Sequence, residues 1–395
     1  MVVPSTGRTS SRTSHISHAQ KDCWMRRNDG VLAETSRQEK SKTERFLEVS
    51  YQPRWPATFR PPTALIGCGG ITRHHLEAYR AANLPVVALC DIERSRAEER
   101  QRQFYPDAQV YTDYRELLRR DDIAVVDIAT HPQQRVPIIE AALRARKHVL
   151  SQKPFVLDLA TGRKLARLAD RYGVHLAVNQ NGRWAPHWSY ARELVRLGLF
   201  GEIHSVSLSN HWNHGWIAGT PFDRVKHVIL FDYAIHWFDI LRCFLPDEPP
   251  RRVYAALRKS KTQVARPALL AQVCVEYPGR LASLVFHADT RFASQDRTII
   301  SGSEATLISL GPNEKNQTVS VHLPEGAILP RLTGCWFPDG FSGTMGELLL
   351  AIEENRAPSI DAADNLKSLE LCFAAVASAE RGEPVKPGTV QRIAT

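Results

Sequence analysis

The sequence predicts an α/β plus α+β chain: a parallel sheet wound by helices, followed by a domain built on an open, mainly antiparallel sheet. Three observations predict it. Short apolar runs alternate with amphipathic segments from Thr63 onward. A glycine turn, Gly67-Cys68-Gly69-Gly70-Ile71-Thr72, separates the first run from the first amphipathic segment. Beyond Asn179 the apolar runs lengthen and follow one another through turns such as Tyr277-Pro278-Gly279-Arg280, the texture of antiparallel strands. At 395 residues the chain is long enough for two separate cores.

Residues 1–42 are rich in Ser, Thr, Arg, Lys and Gln and carry few large apolar side chains. Such a segment buries too little to offset the entropy of ordering and reads as a disordered extension, or as the product of a start codon placed too far upstream. Residues 43–62, with Pro53, Pro56, Pro61 and Pro62, read as an extended lead-in. Over 63–179 the spacing predicts strands at 64–66, 86–90, 109–111, 124–129, 148–151 and 175–178, with helices at 73–82, 95–104, 114–120, 136–146 and 159–171. Six strands in this alternation fill a Rossmann sheet. The second domain, 180–395, is expected to hold strands at 203–210, 252–257, 271–277, 281–288, 298–301 and 319–322, an early helix at 231–244, and closing helices at 344–355 and 362–381. Gly382 and Pro384 stop the last helix, which is placed to pack back on the first domain.

Composition excludes several function classes. The longest apolar runs fall far short of the roughly 20 residues that span a bilayer. The first twenty residues contain no apolar core of a secretory signal, so a cytoplasmic location is expected. Seven scattered cysteines, an odd number without paired spacing, indicate reduced thiols and neither a disulfide framework nor a zinc site. The net charge is +9, but residues 1–60 hold 11 Lys/Arg against 6 Asp/Glu, so more than half of the surplus lies in the leading segment. With no recognisable nucleic-acid module, a nucleic-acid partner is not expected.

The glycine turn carries the first chemistry. Between a strand and a helix, Gly67 permits the tight turn and Gly69 lets the backbone approach a pyrophosphate. Gly70 and Ile71 open the helix whose free N–H groups hold that pyrophosphate. Thr72 stands where a third small residue is usual. Asp91, 22 residues after Gly69 at the end of the second strand, suits the adenosine ribose hydroxyls and repels a 2′-phosphate, which favours NAD over NADP. Thr130, after the fourth strand, and Gln152-Lys153, after the fifth, lie at the sheet edge where such folds bind ligands.

Lys153 there can hydrogen-bond a reacting oxygen and stabilise developing alkoxide charge. In Asp232-Tyr233-Ala234-Ile235-His236-Trp237-Phe238-Asp239 the i, i+4 spacing of Asp232 and His236 places carboxylate and imidazole on one helix face. His236 then serves as the base for a hydroxyl proton, with Asp232 orienting it or binding a substrate hydroxyl. Asn210-His211-Trp212-Asn213-His214-Gly215-Trp216 is a plausible wall for a sugar-like substrate, with Trp212 and His214 as contacts and core packing as the competing role for the tryptophans. The spacing of His211, His214 and His236 matches no metal motif.

Together the glycine turn, Asp91, the stretch from Ala141 through Lys147-His148-Val149 into Gln152-Lys153-Pro154, Asn179 to Arg183, Asp232 to Asp239 and Gly302-Ser303-Glu304-Ala305 resemble the glucose-fructose oxidoreductase, inositol dehydrogenase and rhizopine-catabolism (Gfo/Idh/MocA) family. The resemblance covers 63–387. It implies a catalytic lysine, aspartate and histidine at Lys153, Asp232 and His236, a substrate contact at Arg183, and homodimers or homotetramers formed through the second sheet. It also implies NAD(H)-dependent hydride transfer to or from a sugar, inositol or related polyol. The same family includes redox-neutral lyases, hydrolases and epimerases that retain NAD, and a non-catalytic dinucleotide-binding regulator is the alternative from another class. Three departures stand out: Gln152 in place of the usual Glu, His131 and Arg135 in the loop after Thr130, and Tyr233-Ala234 between the Asp and the His.

Overall fold

The computed structural model describes residues 49–313 and 315–394. The disordered extension expected over 1–42, and the lead-in before Val49, lie outside these residues. Val49–Thr395 forms one compact unit.

The first sheet holds β1 (Thr63–Ile66), β2 (Val86–Cys90), β3 (Gln109–Tyr111), β4 (Val125–Ile128), β5 (His148–Gln152) and β6 (Leu176–Asn179) in the order β3-β2-β1-β4-β5-β6. Every pair is parallel. β1, β4 and β6 are buried along their whole length, as near-continuous apolar strands covered on both faces must be. The connections are α1 (Thr72–Ala81), α2 (Arg94–Phe104), α3 (Tyr114–Leu118), α4 (Pro132–Arg144) and α5 (Leu159–Tyr172). Local chemistry sets their ends. Asp113 and Asp158 cap α3 and α5 through Arg115 N–H and Thr161 N–H, and Gly173 ends α5 in the left-handed region at φ 64°. The strand order reverses between β1 and β4, so a crevice opens at their C-terminal ends, where the turn after β1 and the Thr130 loop face each other.

A 3-10 turn (Asn181–Trp184) and α6 (Pro186–Arg196) lead into the second sheet. Its strands are β7 (Ile203–His211), β8 (Arg252–Arg258), β9 (Leu270–Tyr277), β10 (Arg280–His287), β11 (Gln295–Gly302), β12 (Thr306–Asn313), β13 (Asn316–Leu323) and β14 (Gly326–Ile328), ordered β14-β13-β12-β11-β7-β10-β9-β8. The sheet is antiparallel except at β7–β10, a parallel pair near its centre. Between β7 and β8 run a π-helix (Ile229–Tyr233) and α7 (Ile235–Phe244); α8 (Trp336–Glu353) and α9 (Ala362–Arg381) close the chain.

Three elements differ from expectation. α6 is not among the expected helices; it begins at Pro186, which occupies the first helical turn, where its missing N–H costs nothing. β12, absent from the expected strands, contains Gly311-Pro312. Gly311 fits the ladder because a Cβ there would meet the Asn316 carbonyl at 1.9 Å. The single helix expected over 231–244 is divided by the π turn, in which Ala234 N–H donates to Ile229 O.

The lead-in is strapped down. Trp55 Nε1 donates to Ser342 Oγ at 2.8 Å, and Ser189 Oγ to Tyr51 O at 2.6 Å. Gly346 of α8 lets the strap close, since a Cβ there would meet Arg54 O at 2.1 Å.

Candidate active site

The turn after β1 has the shape a diphosphate requires. Gly67 sits at φ +93°, and a Cβ on it would meet the Ala129 carbonyl carbon and Thr130 N at 3.0 Å, so only glycine lets the two facing loops approach. A Cβ on Gly69 or Gly70 would meet nothing within 4 Å, which leaves the backbone open to a ligand at the start of α1. Ile71 is the N-cap and makes no side-chain cap bond. Thr72 is buried and donates its hydroxyl to Gly69 O at 2.6 Å, bracing the turn. Asp91 accepts from Cys68 N–H at 2.7 Å and Glu93 N–H at 2.9 Å. A carboxylate has about four acceptor positions, so sites for two ribose hydroxyls remain. The turn and Asp91 therefore fit a dinucleotide.

At the ends of β4 and β5 the second cluster forms. Lys153 Nζ donates to the Asp232 carbonyl at 2.8 Å and lies 3.4 Å from its Oδ1. His236 is almost fully buried, its Nδ1 has no partner, and burial, with Lys153 adding to it, holds its pKa well below the usual imidazole range. Lys153 is thus the common neighbour of Asp232 and His236. The expected shared helix face does not exist: Asp232 lies in the π turn and His236 in α7, with no hydrogen bond between them among the described residues. A π turn inserts a residue into the helical register and re-aims the side chains around it.

The departures have structural partners. Gln152 points away from the lysine ammonium; its Oε1 accepts from Lys153 N–H at 2.7 Å and its Nε2 lies 3.2 Å from His75 Nε2. His75 Nδ1 in turn lies 2.6 Å from Asp127 Oδ2, which also accepts from Tyr79 at 2.6 Å. This buried column under Lys153 was not anticipated, although an aspartate inside the apolar run of β4 was a visible signal. Arg135, only 1% exposed, donates to Thr130 O, Gln152 O and Pro154 O. It ties the ends of β4 and β5 together, and burial lowers its pKa to about 9. His131 caps α4 and meets the ring of Phe222 edge-on at 5.8 Å.

Arg183 is not part of this cluster. Its guanidinium binds Asp239 bidentately at 2.6 and 2.7 Å and also donates to Ser359 O. A buried fork on a carboxylate has little left for a substrate, so the expected contact is corrected to a structural ion pair. Trp212 and His214 do reach the cluster's side. Trp212 stacks on Tyr233 at 4.0 Å, and His214 lies within electrostatic reach of Asp232 and Lys153.

A parallel sheet reversing at β1 and β4, a glycine turn open at that reversal, and a lysine at its rim define an oxidoreductase with a nicotinamide-dinucleotide fold. Residues 62–180 match the oxidoreductase family with NAD-binding Rossmann fold, and 188–308 match the GFO/IDH/MocA C-terminal domain. The chain belongs to the Gfo/Idh/MocA family. It is similar to the D-apiose dehydrogenase of Paraburkholderia graminis, 27% identical over 343 residues that span 82% of this chain and 88% of that protein. It is also similar to the inositol 2-dehydrogenase of Rhizobium meliloti, 23% identical over 323 residues covering 80% of this chain and 95% of that protein. An Agrobacterium radiobacter oxidoreductase solved with NAD+, L-tartaric acid and magnesium shares the fold, with a TM-score of 0.74 at 22% identity over 84% of this chain and 99% of the other. Among the described residues no helix is long and apolar enough to cross a membrane.

Proposed function

We propose that the protein is an NAD(H)-dependent oxidoreductase that interconverts a secondary hydroxyl and a ketone on a sugar, inositol or related polyol. The observation that carries this reading is Lys153 Nζ, just past the end of β5, held on Asp232 with the buried imidazole of His236 within its electrostatic reach. NAD, when bound, supplies the two-electron acceptor. Lys153 Nζ, held by the Asp232 carbonyl, donates to the reacting oxygen and stabilises its developing charge. His236, neutral at physiological pH, is in the form that accepts the hydroxyl proton. The Asp232 carboxylate keeps the ammonium in place and accepts from a neighbouring substrate hydroxyl. NAD is favoured over NADP because the Asp91 carboxylate at the end of β2 repels a 2′-phosphate, and Arg94 and Arg96, which follow it in the chain, are each paired to a glutamate.

The reading extends to a cytoplasmic homodimer or homotetramer. Its supports are six described cysteines, all unpaired, and the open face of the second sheet, where Leu281, Leu310 and Tyr254 are exposed. The deciding experiment is a screen of polyols, inositols and keto-sugars followed by nicotinamide absorbance in Lys153→Met, His236→Asn and wild-type protein. Loss of roughly 10²–10⁴ in kcat in both variants, with NAD binding retained, is expected. Unchanged turnover in either variant overturns the assignment.

A further inference from the structure

His214 is held in an unusual way. Its Nδ1 accepts from two indoles at once, Trp212 Nε1 at 3.1 Å and Trp216 Nε1 at 3.2 Å. Both rings meet the imidazole edge-on, with centroids 5.4 and 4.9 Å away. An indole N–H is a donor only, so Nδ1 must present its lone pair, and the ring's single proton must sit on Nε2. An imidazolium would turn an Nδ1–H against two other N–H groups. Burial and the charge of Lys153 reinforce this by holding the pKa down to about 4, with Asp232 opposing.

The backbone is fixed as firmly as the ring. His214 N–H donates to Ala288 O at 2.7 Å and Trp212 N–H to His287 O at 3.1 Å, so the segment continues the β7–β10 pairing past the end of the sheet. Trp212 is stacked on Tyr233, the residue after Asp232. Trp216 meets Phe222, which meets His131 of the first domain. An aromatic wall therefore crosses from one domain to the other, and His214 is the polar member of its second-domain half. Its Nε2 has no protein partner among the described residues, and the residue as a whole keeps 8% of its surface exposed.

We propose that His214 is a specificity-determining residue: a hydrogen-bond donor locked in its Nε2–H tautomer by Trp212 and Trp216, which recognises a lone-pair oxygen of the polyol beside the carbon that reacts. This inference rests on the dehydrogenase reading above and adds a division of labour to it. The site holds two neutral histidines, of which His236 makes no hydrogen bond through its buried Nδ1 and has no indole donor fixing its tautomer. His214 has its basic nitrogen occupied and can only donate.

The test has a spectroscopic arm and a kinetic arm, both on the full-length protein. In two-bond ¹H–¹⁵N spectra, His214 of the wild type is expected to show protonated Nε2 and unprotonated Nδ1 from pH 8 to pH 5. Trp216→Phe, at a half-exposed indole, removes one of the two donors, so His214 should begin to protonate at higher pH. Asp232 and Lys153 are the charged groups that bias this titration. In the kinetic arm, His214→Phe raises KM for the polyol about tenfold, the range of one lost neutral hydrogen bond, with a smaller change in kcat. His214→Gln, which retains an amide donor, restores most of it. Wild-type His214 protonated on Nδ1, or titrating in the ordinary imidazole range, overturns the proposal. So does an unchanged KM in folded His214→Phe. Failure of the dehydrogenase reading looks different, because the wild type itself would then turn over no polyol.

Discussion

At the scale of single residues, histidine burial sets a pH signature. His148 is pushed down to about 4, His187 to about 3 and His214 to about 4, in each case mainly by desolvation, and His236 falls well below its usual range for the same reason. In the unfolded chain all four titrate near 6.5. A depressed folded pKa means that the unfolded state binds more protons between that value and about 6.5, so the stabilisation is complete above about pH 6.5 and is lost as the pH falls through that window. Thermal melts are therefore expected to show a clear loss of Tm between pH 7 and pH 5. His187, whose Nε2 is buried without a partner, is the cleanest probe. His187→Leu should make the acid slope shallower, and a melt series with the wild-type slope would show that its burial is not responsible.

The elements show why the site residues meet at all. α7 is anchored from beneath by Asp239, which takes the Arg183 fork and the Ser368 hydroxyl at 2.8 Å. Arg242, one turn on, binds Asp364 of α9 at 2.7 Å. His236 is thus presented by a helix that buried charge fastens one turn further on. Removing one member of a buried pair leaves the other uncompensated, at a cost of about 3–5 kcal/mol. Asp239→Ala should lose stability of that order in denaturant titration, whereas Arg242→Ala, whose partner is partly exposed, should lose less. Equal small losses would mean that the Arg183 pair does not hold the helix. The i, i+4 reasoning placed Asp232 and His236 in the same neighbourhood, but the π turn decides their orientation. That turn has no sequence signature, because it depends on how the residues before Ala234 pack.

At the scale of the whole molecule, the eight-stranded sheet buries one face against the helices, and its other face is exposed among the described residues. Along β10 the alternation is regular, with Ala282, Leu284 and Phe286 buried and Leu281 55% exposed. Ile299 and Ile308 pair across β11 and β12 and lie on the same half-exposed face as Leu281 among the described residues. If this face associates, Leu281→Arg should reduce the mass measured by light scattering to that of one chain, with the fold intact by circular dichroism. A monomeric wild type would retire the oligomer.

The sequence by itself determined the order of elements in the first sheet, its parallel winding, the glycine turn and the residues from which the site is built. Each of these rests on local rules: alternation of apolar runs, glycine at a turn, an acidic residue at a strand end. Only the tertiary structure decided what those residues do to one another. It sent Arg183 to Asp239, turned Gln152 toward His75, buried Arg135 among three carbonyls and clamped His214 between two indoles. Such pairings join positions far apart in the chain, and burial makes each of them stronger than any local preference. Burial is a property of the packed whole, which no short stretch of sequence specifies.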